Sequence, residues 1–241
     1  MINGKKVIAI IPARIGSRGI KFKNIRMLNG KPLIYWTIKC ALASRYVDKV
    51  IVSTDSKQIA DLSKKYGADV PFIRPKSLSS DSAKSVDVII HCLASITDRF
   101  NYVILCEPTS PLRTVEDVDN ALEILSKSKS AKALVSVCRH EGTSPEFAMN
   151  IYKGFIKPYS KVLKHTRRQD IKPSFYPEGS LYISDIGTLI NSKTFYHSKT
   201  LAYEVPRWKS FEIDEEMDLY IVEAILKWRN KEAIKESYHE N

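Results

Sequence analysis

The stretch KKVIAIIPARIGSRGIKFKN, residues 5–24, decides how the rest of the chain is read. Val7, Ile8, Ile10 and Ile11 make a nearly unbroken β-branched run, the pattern of a strand covered on both faces in a parallel sheet. The run gives way to a loop carrying Arg14, Ser17, Arg18, Lys21 and Lys23, in which Gly16 and Gly19 leave the backbone free to fold back and turn N–H groups inward. A basic glycine-bearing loop at the end of a buried strand suits a polyphosphate. It matches neither G-x-x-x-x-G-K-[ST] nor G-x-G-x-x-G, which disfavours a Walker-type ATPase and a dinucleotide oxidoreductase.

Outward from this stretch, strand and helix periods alternate. VIAII precedes a helix over about 32–44, KVIVSTD a helix over 57–66, VPFIR a helix over 84–96, and YVILCEP a helix over 115–126, before ALVSVC. This alternation predicts parallel βαβ units with right-handed crossovers. Residues 139–178 break the rhythm with HEGTSP, the hairpin-like MNIYKGFIKPYS and the basic HTRRQDIKPSFYPEG. They predict an inserted arm lying outside the main sheet and serving dimerisation. SLYIS, LAYEVP and KSFEID return to strand, and Met217, Tyr220, Ile221, Ala224, Ile225 and Trp228 mark the apolar stripe of a closing helix. The expected class is therefore α/β, one Rossmann-like domain over 1–241 with a mainly parallel sheet and a small dimerisation insertion.

Composition narrows the partners. Against 27 Asp and Glu, 38 Lys and Arg leave a formal net charge of +11, which favours an anionic ligand: nucleic acid, an acidic small molecule or anionic lipid. Nucleic acid is disfavoured, because there is no zinc-ligand spacing, RNP aromatic motif or helix-turn-helix signal and the lysines are spread along the chain. The four cysteines, Cys40, Cys92, Cys106 and Cys138, form no C-x-x-C pair and read as buried reduced thiols. No h-region with a cleavage site is present, and no apolar run approaches the roughly 18 residues of a spanning helix. The expectation is a cytosolic protein without a membrane partner.

In an open parallel sheet, ligands bind beyond the carboxyl ends of the strands. Those ends read PARIGSRG, STDS, RPKSLSSD and EPTSPLR, each pairing small hydroxyl residues with charge.

The motifs as a set resemble the CMP-acylneuraminate synthetase family of cytidylyltransferases, which activate acidic nine-carbon sugars. The resemblance is carried by IPARIGSRGIKFKNI (11–25), GKPLI (30–34), VSTDS (52–56), RPKSLSSDSAKSVD (74–87), EPTSPLR (107–113), RRQD (167–170), YPEGSLYIS (176–184) and FEIDEEMD (211–218). They run in order through nearly the whole chain. The resemblance implies a nucleotidyltransferase fold, CTP and a nonulosonic acid as partners, a homodimer, and Mg²⁺ as cofactor. It places Ala13, Arg14, Ser17, Arg18, Lys23 and Asn24 on the nucleotide, with Arg14 and Lys23 offsetting charge as pyrophosphate leaves. Arg74, Ala83 and Ser85 would read cytosine. Glu107, Thr109, Ser110, Arg168, Tyr176 and Glu178 would meet the sugar, and Arg167 and Arg168 could reach its carboxylate or a phosphate.

Glu212 and Asp214 stand two apart on the expected FEID strand, so both carboxylates should face one site and hold Mg²⁺ through hard oxygen ligands. The family commonly has aspartate at the first of these positions, so Asp214 is the firmer ligand. In the implied reaction the anomeric C2 hydroxyl attacks the α-phosphorus of CTP, giving the CMP-sugar and pyrophosphate with no covalent intermediate. His91, His140, His165 and His197 offer no obvious general base. Members acting on N-acetylneuraminate typically carry glutamine before PTSPLR and an arginine and an asparagine around the P-x-G turn, where this chain has Glu107, Tyr176 and Glu178. An acceptor-rich pocket of this kind suits a 5,7-diamido nonulosonate of the legionaminic type. The rival enzyme reading is a cytidylyltransferase for 3-deoxy-manno-octulosonate, which shares the loop logic but not PEGSLYIS and FEIDEEMD.

Overall fold

The structure is a computed structural model describing residues 1–17, 19–141, 144–159 and 172–239, with side chains described as far as 229. Its centre is a six-stranded sheet. In chain order the strands are β1 (Val7–Pro12), β2 (Met27–Leu28), β3 (Lys31–Pro32), β4 (Lys49–Ser53), β5 (Tyr102–Leu105), β6 (Ala133–Arg139), β7 (Met149–Tyr152), β8 (Phe155–Pro158), β9 (Phe175–Asp185) and β10 (Thr200–Val205). The helices are α1 (Leu33–Ala43), α2 (Lys57–Lys65), α3 (Ser85–Ala94), α4 (Val115–Lys127), α5 (Ile186–Ser192) and α6 (Glu216–His239). The sheet order is β10-β6-β9-β5-β1-β4, and every neighbouring pair is parallel except the two that β9 makes with β5 and β6. The pairs β2–β3, two residues each, and β7–β8, four residues each, form separate two-stranded ribbons.

The β-branched run of β1 is explained by burial on both faces. Val7 through Ile11 are fully buried. Val7, Ala9 and Ile11 pack with Ile34 and Ile38 of α1 and with Val118 and Leu122 of α4, while Ile8 and Ile10 pack with Val86 and Ile89 of α3 and Leu189 of α5. Alternate residues thus serve opposite helical layers. A third cluster, with Ile20, Leu28, Leu33, Leu112, Ile213 and Val222, lies outside the sheet and packs the opening loop against the start of α6. Helix starts follow their caps. Ser56 Oγ accepts from Ile59 N at 3.3 Å, and Thr114 with Asp117 forms a capping box at α4.

Three expectations about elements are corrected. VPFIR, residues 70–74, is not a strand. The chain touches β4 through the single bridge Ile51–Asp69, Arg74 N donates to Thr54 O just past the end of β4 at 2.7 Å, and Pro71 between them has no N–H for a ladder. FEID is not a strand either: it follows a short 3₁₀ turn at Arg207–Lys209 and is held by Ile213 N donating to Thr109 O at 2.8 Å. The inserted arm is narrower than 139–178. Phe175–Pro177 already pairs with Val137–Arg139 in the central sheet, and the described remainder is the β7–β8 hairpin, turning at Lys153 and Gly154 with φ of 49° and 83°. The basic stretch at 160–171 lies outside the described residues. All four cysteines are buried and free.

Candidate active site

The loop after β1 is built by bonds it makes to itself and to the segment before α6. Ala13 N donates to Ser53 O at 2.9 Å and Ile15 N to Asp55 Oδ1 at 2.9 Å, so the chain leaves the sheet beside the end of β4. Asn24 is buried and its amide donates to Arg14 O at 2.8 Å, while Ser17 Oγ accepts from Lys23 N at 3.3 Å. Gly19 packs on the Asp214 backbone so closely that a Cβ there would run into the Asp214 carbonyl oxygen. Lys23 Nζ completes the closure, donating to Ile213 O and to Asp214 Oδ1, each at 2.9 Å.

A cavity of about 510 Å³ opens under this loop. Arg14, Ser17, Lys23 and Asn24 line it from the loop, Arg74, Ala83 and Ser85 from the segment before α3, Glu107 and Thr109 from the end of β5, and Asp214 from the far side. Arg74 is buried, and burial lowers its pKa while Asp55 nearby opposes the change; its Nε donates to Ser79 Oγ at 3.2 Å. Arg14 is paired with Asp81 at 2.5 Å across the mouth. A second cavity, of about 430 Å³, shares Ser85, Glu107 and Thr109 with the first and continues past Gly179, Tyr182, Lys193, Thr194, Phe195, Tyr196 and Glu212. The two hollows abut at the carboxyl end of β5, where an open α/β sheet places ligands.

The carboxylates divide between these cavities. Asp214 is 72% exposed at the edge of the first. Glu212 turns into the second, where burial pushes its carboxyl up to about 7 and the hydrogen bond from Ser110 Oγ at 3.2 Å opposes the shift. Glu107 borders both; burial raises its pKa, and Ser85 Oγ, donating at 3.1 Å, together with Arg113 and Arg74, pulls it back. No group of three or more His, Cys, Asp or Glu among the described residues could hold a metal. Asp214 beside a cavity that also presents Arg14, Lys23 and Arg74 nevertheless fits a hard cation that takes one carboxylate and the oxygens of a bound phosphate.

Other expected residues lie elsewhere. Ala13 is fully buried behind the loop and contributes backbone. Ser110 is buried and serves Glu212. Tyr176 and Glu178 line neither cavity: the Tyr176 hydroxyl meets Ser210 Oγ at 3.0 Å and its ring lies 4.8 Å from that of His140, while Glu178 is buried against Ser180. Arg18, Arg167 and Arg168 fall outside the described residues. Sequence reasoning missed Lys193, Phe195 and Tyr196, because a loop between a short helix and a strand carries no periodic signal, and Tyr182, because a strand period does not say which face of β9 borders a cavity. It also missed the work of Arg113, whose buried guanidinium donates to Ser180 O at 2.6 Å and Glu107 O at 3.0 Å, tying β9 to the PTSPLR turn.

A family model described as cytidylyltransferase matches residues 8–170. The chain belongs to the cytidylyltransferase family. This cytidylyltransferase is 34% identical over 95% of its length to the N-acylneuraminate cytidylyltransferase of Escherichia coli O18:K1:H7, and spans about half, 54%, of that relative. It is 34% identical to the CMP-N,N′-diacetyllegionaminic acid synthase of Legionella pneumophila, covering 95% of this chain and 99% of the relative. The pseudaminic acid cytidylyltransferase of Campylobacter jejuni is 29% identical, with 95% and 99% covered. Among solved structures, a CMP:2-keto-3-deoxy-manno-octonic acid synthetase superposes with a TM-score of 0.72 at 17% identity, covering 93% of this chain and 99% of the other. The 4-diphosphocytidyl-2C-methyl-D-erythritol synthase of Anaerococcus prevotii gives 0.65 at 14%, covering 93% and 100%. At those identities the likeness establishes the nucleotidyltransferase fold. No helix among the described residues of this cytidylyltransferase is long and apolar enough to cross a membrane.

Proposed function

We propose that this cytidylyltransferase transfers CMP from CTP to the anomeric hydroxyl of a nonulosonic acid, N-acetylneuraminate or a relative such as legionaminate, and releases pyrophosphate. The observation that carries the reading is the pair of abutting cavities, one holding Arg14, Lys23 and Arg74 under the glycine-bearing loop and one lined by carboxylates, hydroxyls and aromatics, meeting at Ser85, Glu107 and Thr109. A nucleotide in the first and a sugar in the second would bring α-phosphorus and hydroxyl together at that junction, which removes most of the entropic cost of the encounter.

In this reading Arg14 and Lys23 sit where negative charge grows as pyrophosphate departs, and preorganised cations there lower the barrier without reorganising. Arg14 exchanges Asp81 for phosphate when the nucleotide binds; the pair it gives up is partly exposed and so weakly held. Arg74, Ala83 and Ser85 line the first cavity from one stretch of chain, where cytosine would be read, and Ser85 borders the junction as well. A donor-acceptor mismatch with uracil would leave a buried polar group unpaired, at about 1–3 kcal/mol. Asp214 is the residue that would hold Mg²⁺, which when bound supplies Lewis-acid polarisation of the phosphate. No histidine among the described residues lines either cavity, so none is placed to take the hydroxyl proton.

A homodimer formed through the arm belongs to the same proposal. Ile151, Phe155 and Ile156 of the β7–β8 hairpin are 79%, 74% and 71% exposed, and an isolated two-stranded ribbon with apolar side chains outward gains its stability from a partner surface.

The test is pyrophosphate release with CTP, UTP and ATP against N-acetylneuraminate, N,N′-diacetyllegionaminate and 3-deoxy-manno-octulosonate, with the CMP-sugar identified by mass. Release that requires CTP and a nine-carbon acid supports the reading; a preference for the octulosonate overturns the sugar.

A further inference from the structure

The formal net charge of +11 does not reside at the candidate active site. Among the described lining residues the first cavity sets three cations, Arg14, Lys23 and Arg74, against four carboxylates, Asp81, Glu107, Asp214 and Glu215, and the second sets Lys193 against Glu107 and Glu212. A surplus stands at the other end of the sheet. β1, β4, β5, β6 and β10 run the same way, so their amino ends share one edge. Backbone bonds trace that edge: Lys132 N donates to Lys199 O at 3.2 Å, Asp185 N to Lys132 O at 2.8 Å, Ile186 N to Asn101 O at 2.9 Å and Asn101 N to Lys6 O at 2.8 Å. Lys5, Lys6, Arg99, Lys129, Lys132 and Lys199 stand on it or in the turns that feed it, and all six are exposed. None of them forms an ion pair among the described residues. The acids beside them are engaged elsewhere, Asp48 with the Met1 ammonium at 3.0 Å, Asp98 and Asp69 with Lys49 at 2.6 and 3.6 Å, and Asp185 in capping α5 through Thr188 N at 2.9 Å.

These six residues are far apart in the sequence, and only the fold gathers them. Unpaired like charges held side by side repel one another, a cost that an anionic surface laid against them offsets. From Lys199 at β10 to Lys6 at β1 the row crosses four strand spacings, about 19 Å at the usual 4.8 Å each, which is wider than a small anion can meet at once. Five of the six are lysines, compact point charges on flexible stems that suit a diffuse layer of charge, whereas the planar fork of arginine is the group that grips nucleic-acid phosphates one at a time. None lies inside a helix or a strand, so no element carries them into a groove. We propose that the amino edge of the sheet rests on the anionic headgroups of a phospholipid bilayer, with both cavities turned away from the membrane at the carboxyl ends of the same strands. Clusters of four to eight Lys and Arg residues give such attachment through charge alone, so no spanning helix is needed and no apolar run announces it.

Co-sedimentation of the full chain with vesicles tests this, using phosphatidylcholine alone and phosphatidylcholine mixed with phosphatidylglycerol, at about 0.05 M and about 0.5 M salt. The wild type should sediment with the anionic vesicles at low salt, lose at least fivefold of that binding at high salt, and leave the neutral vesicles alone. Lys132→Glu with Lys199→Glu should cut binding to the anionic vesicles at least fivefold while turnover stays within twofold of wild type, since neither residue lines a cavity. Lys57→Glu with Lys76→Glu makes an equal change of charge past the carboxyl end of β4, at two exposed lysines, and should leave vesicle binding within twofold. Should the first pair fail to fold, Arg99→Gln with Lys129→Gln carries the same comparison. Equal sedimentation with neutral and anionic vesicles, or with neither, overturns the proposal, as does a loss in the Lys57 and Lys76 pair that matches the loss in the edge pair. Duplex DNA that binds the wild type more tightly than the anionic vesicles do, at the same phosphate concentration and salt, overturns the bilayer as the partner.

Discussion

At the scale of single residues, the first cavity depends on a few charges whose partners are visible. Asp214 is exposed and bonded to Lys23, so removing its charge should leave the fold intact while depriving the site of the carboxylate proposed to hold the metal. Asp214→Asn should therefore reduce turnover by two orders of magnitude or more at saturating Mg²⁺, with an unchanged unfolding temperature; pyrophosphate release within threefold of wild type would contradict the role. Arg14 lies at the mouth of the same cavity. A charge-assisted contact to phosphate is worth about 1.5–3 kcal/mol, so Arg14→Ala should lower kcat/KM for CTP by about 10- to 100-fold. An unaltered CTP saturation curve would show that the loop does not hold the triphosphate.

Among elements, what matters is how the segment 207–214 is held over the sheet, since it carries both site carboxylates without belonging to a strand. Lys209 Nζ reaches both oxygens of Asp117 at 2.6 Å and Thr114 Oγ1 at 3.2 Å, with the two charged side chains 11% and 6% exposed. This buried pair nails the 3₁₀ turn to the first turn of α4, and Tyr203 of β10 adds a bond to Asp117 at 3.1 Å. Lys209→Met would leave Asp117 buried without its cation, at a cost of about 3–5 kcal/mol. Chemical denaturation should show a loss of that size, and a loss under 1 kcal/mol would mean that the pair is not needed. Gly179 is the second such point. Gly179→Ala would place a methyl group into the Glu212 carboxylate at a backbone angle that L residues avoid, so sugar KM should rise more than CTP KM. Equal changes in both would count against the division into two cavities.

For the molecule as a whole, the open question is what covers the β7–β8 hairpin. Ile151, Phe155 and Ile156 stand exposed on a separate two-stranded ribbon, and such apolar patches mark interaction surfaces. Phe155→Lys with Ile156→Lys should convert a dimer into a monomer by sedimentation while leaving the unfolding of the central sheet unchanged. A wild-type protein that sediments as a monomer at micromolar concentration would remove the dimer from the proposal.

Much of this was readable from the chain because it is written locally. The β1 run, the basic loop after it and the burial of the cysteines each follow from short patterns, since β-branched runs need two covered faces. The order of motifs also determined the family. What the sequence could not contain was set by residues far apart in it. β9 enters the sheet antiparallel between β5 and β6, and SLYIS looks the same whichever way it runs, since the direction is decided by the path of the connecting arm. A period of two placed Glu212 and Asp214 on one face only on the premise of a paired strand. Once Ile213 docks on Thr109 and Gly179 leaves a seat for one carboxylate while Lys23 draws the other, their directions are fixed by three separate partners, and only the assembled fold brings those partners within reach.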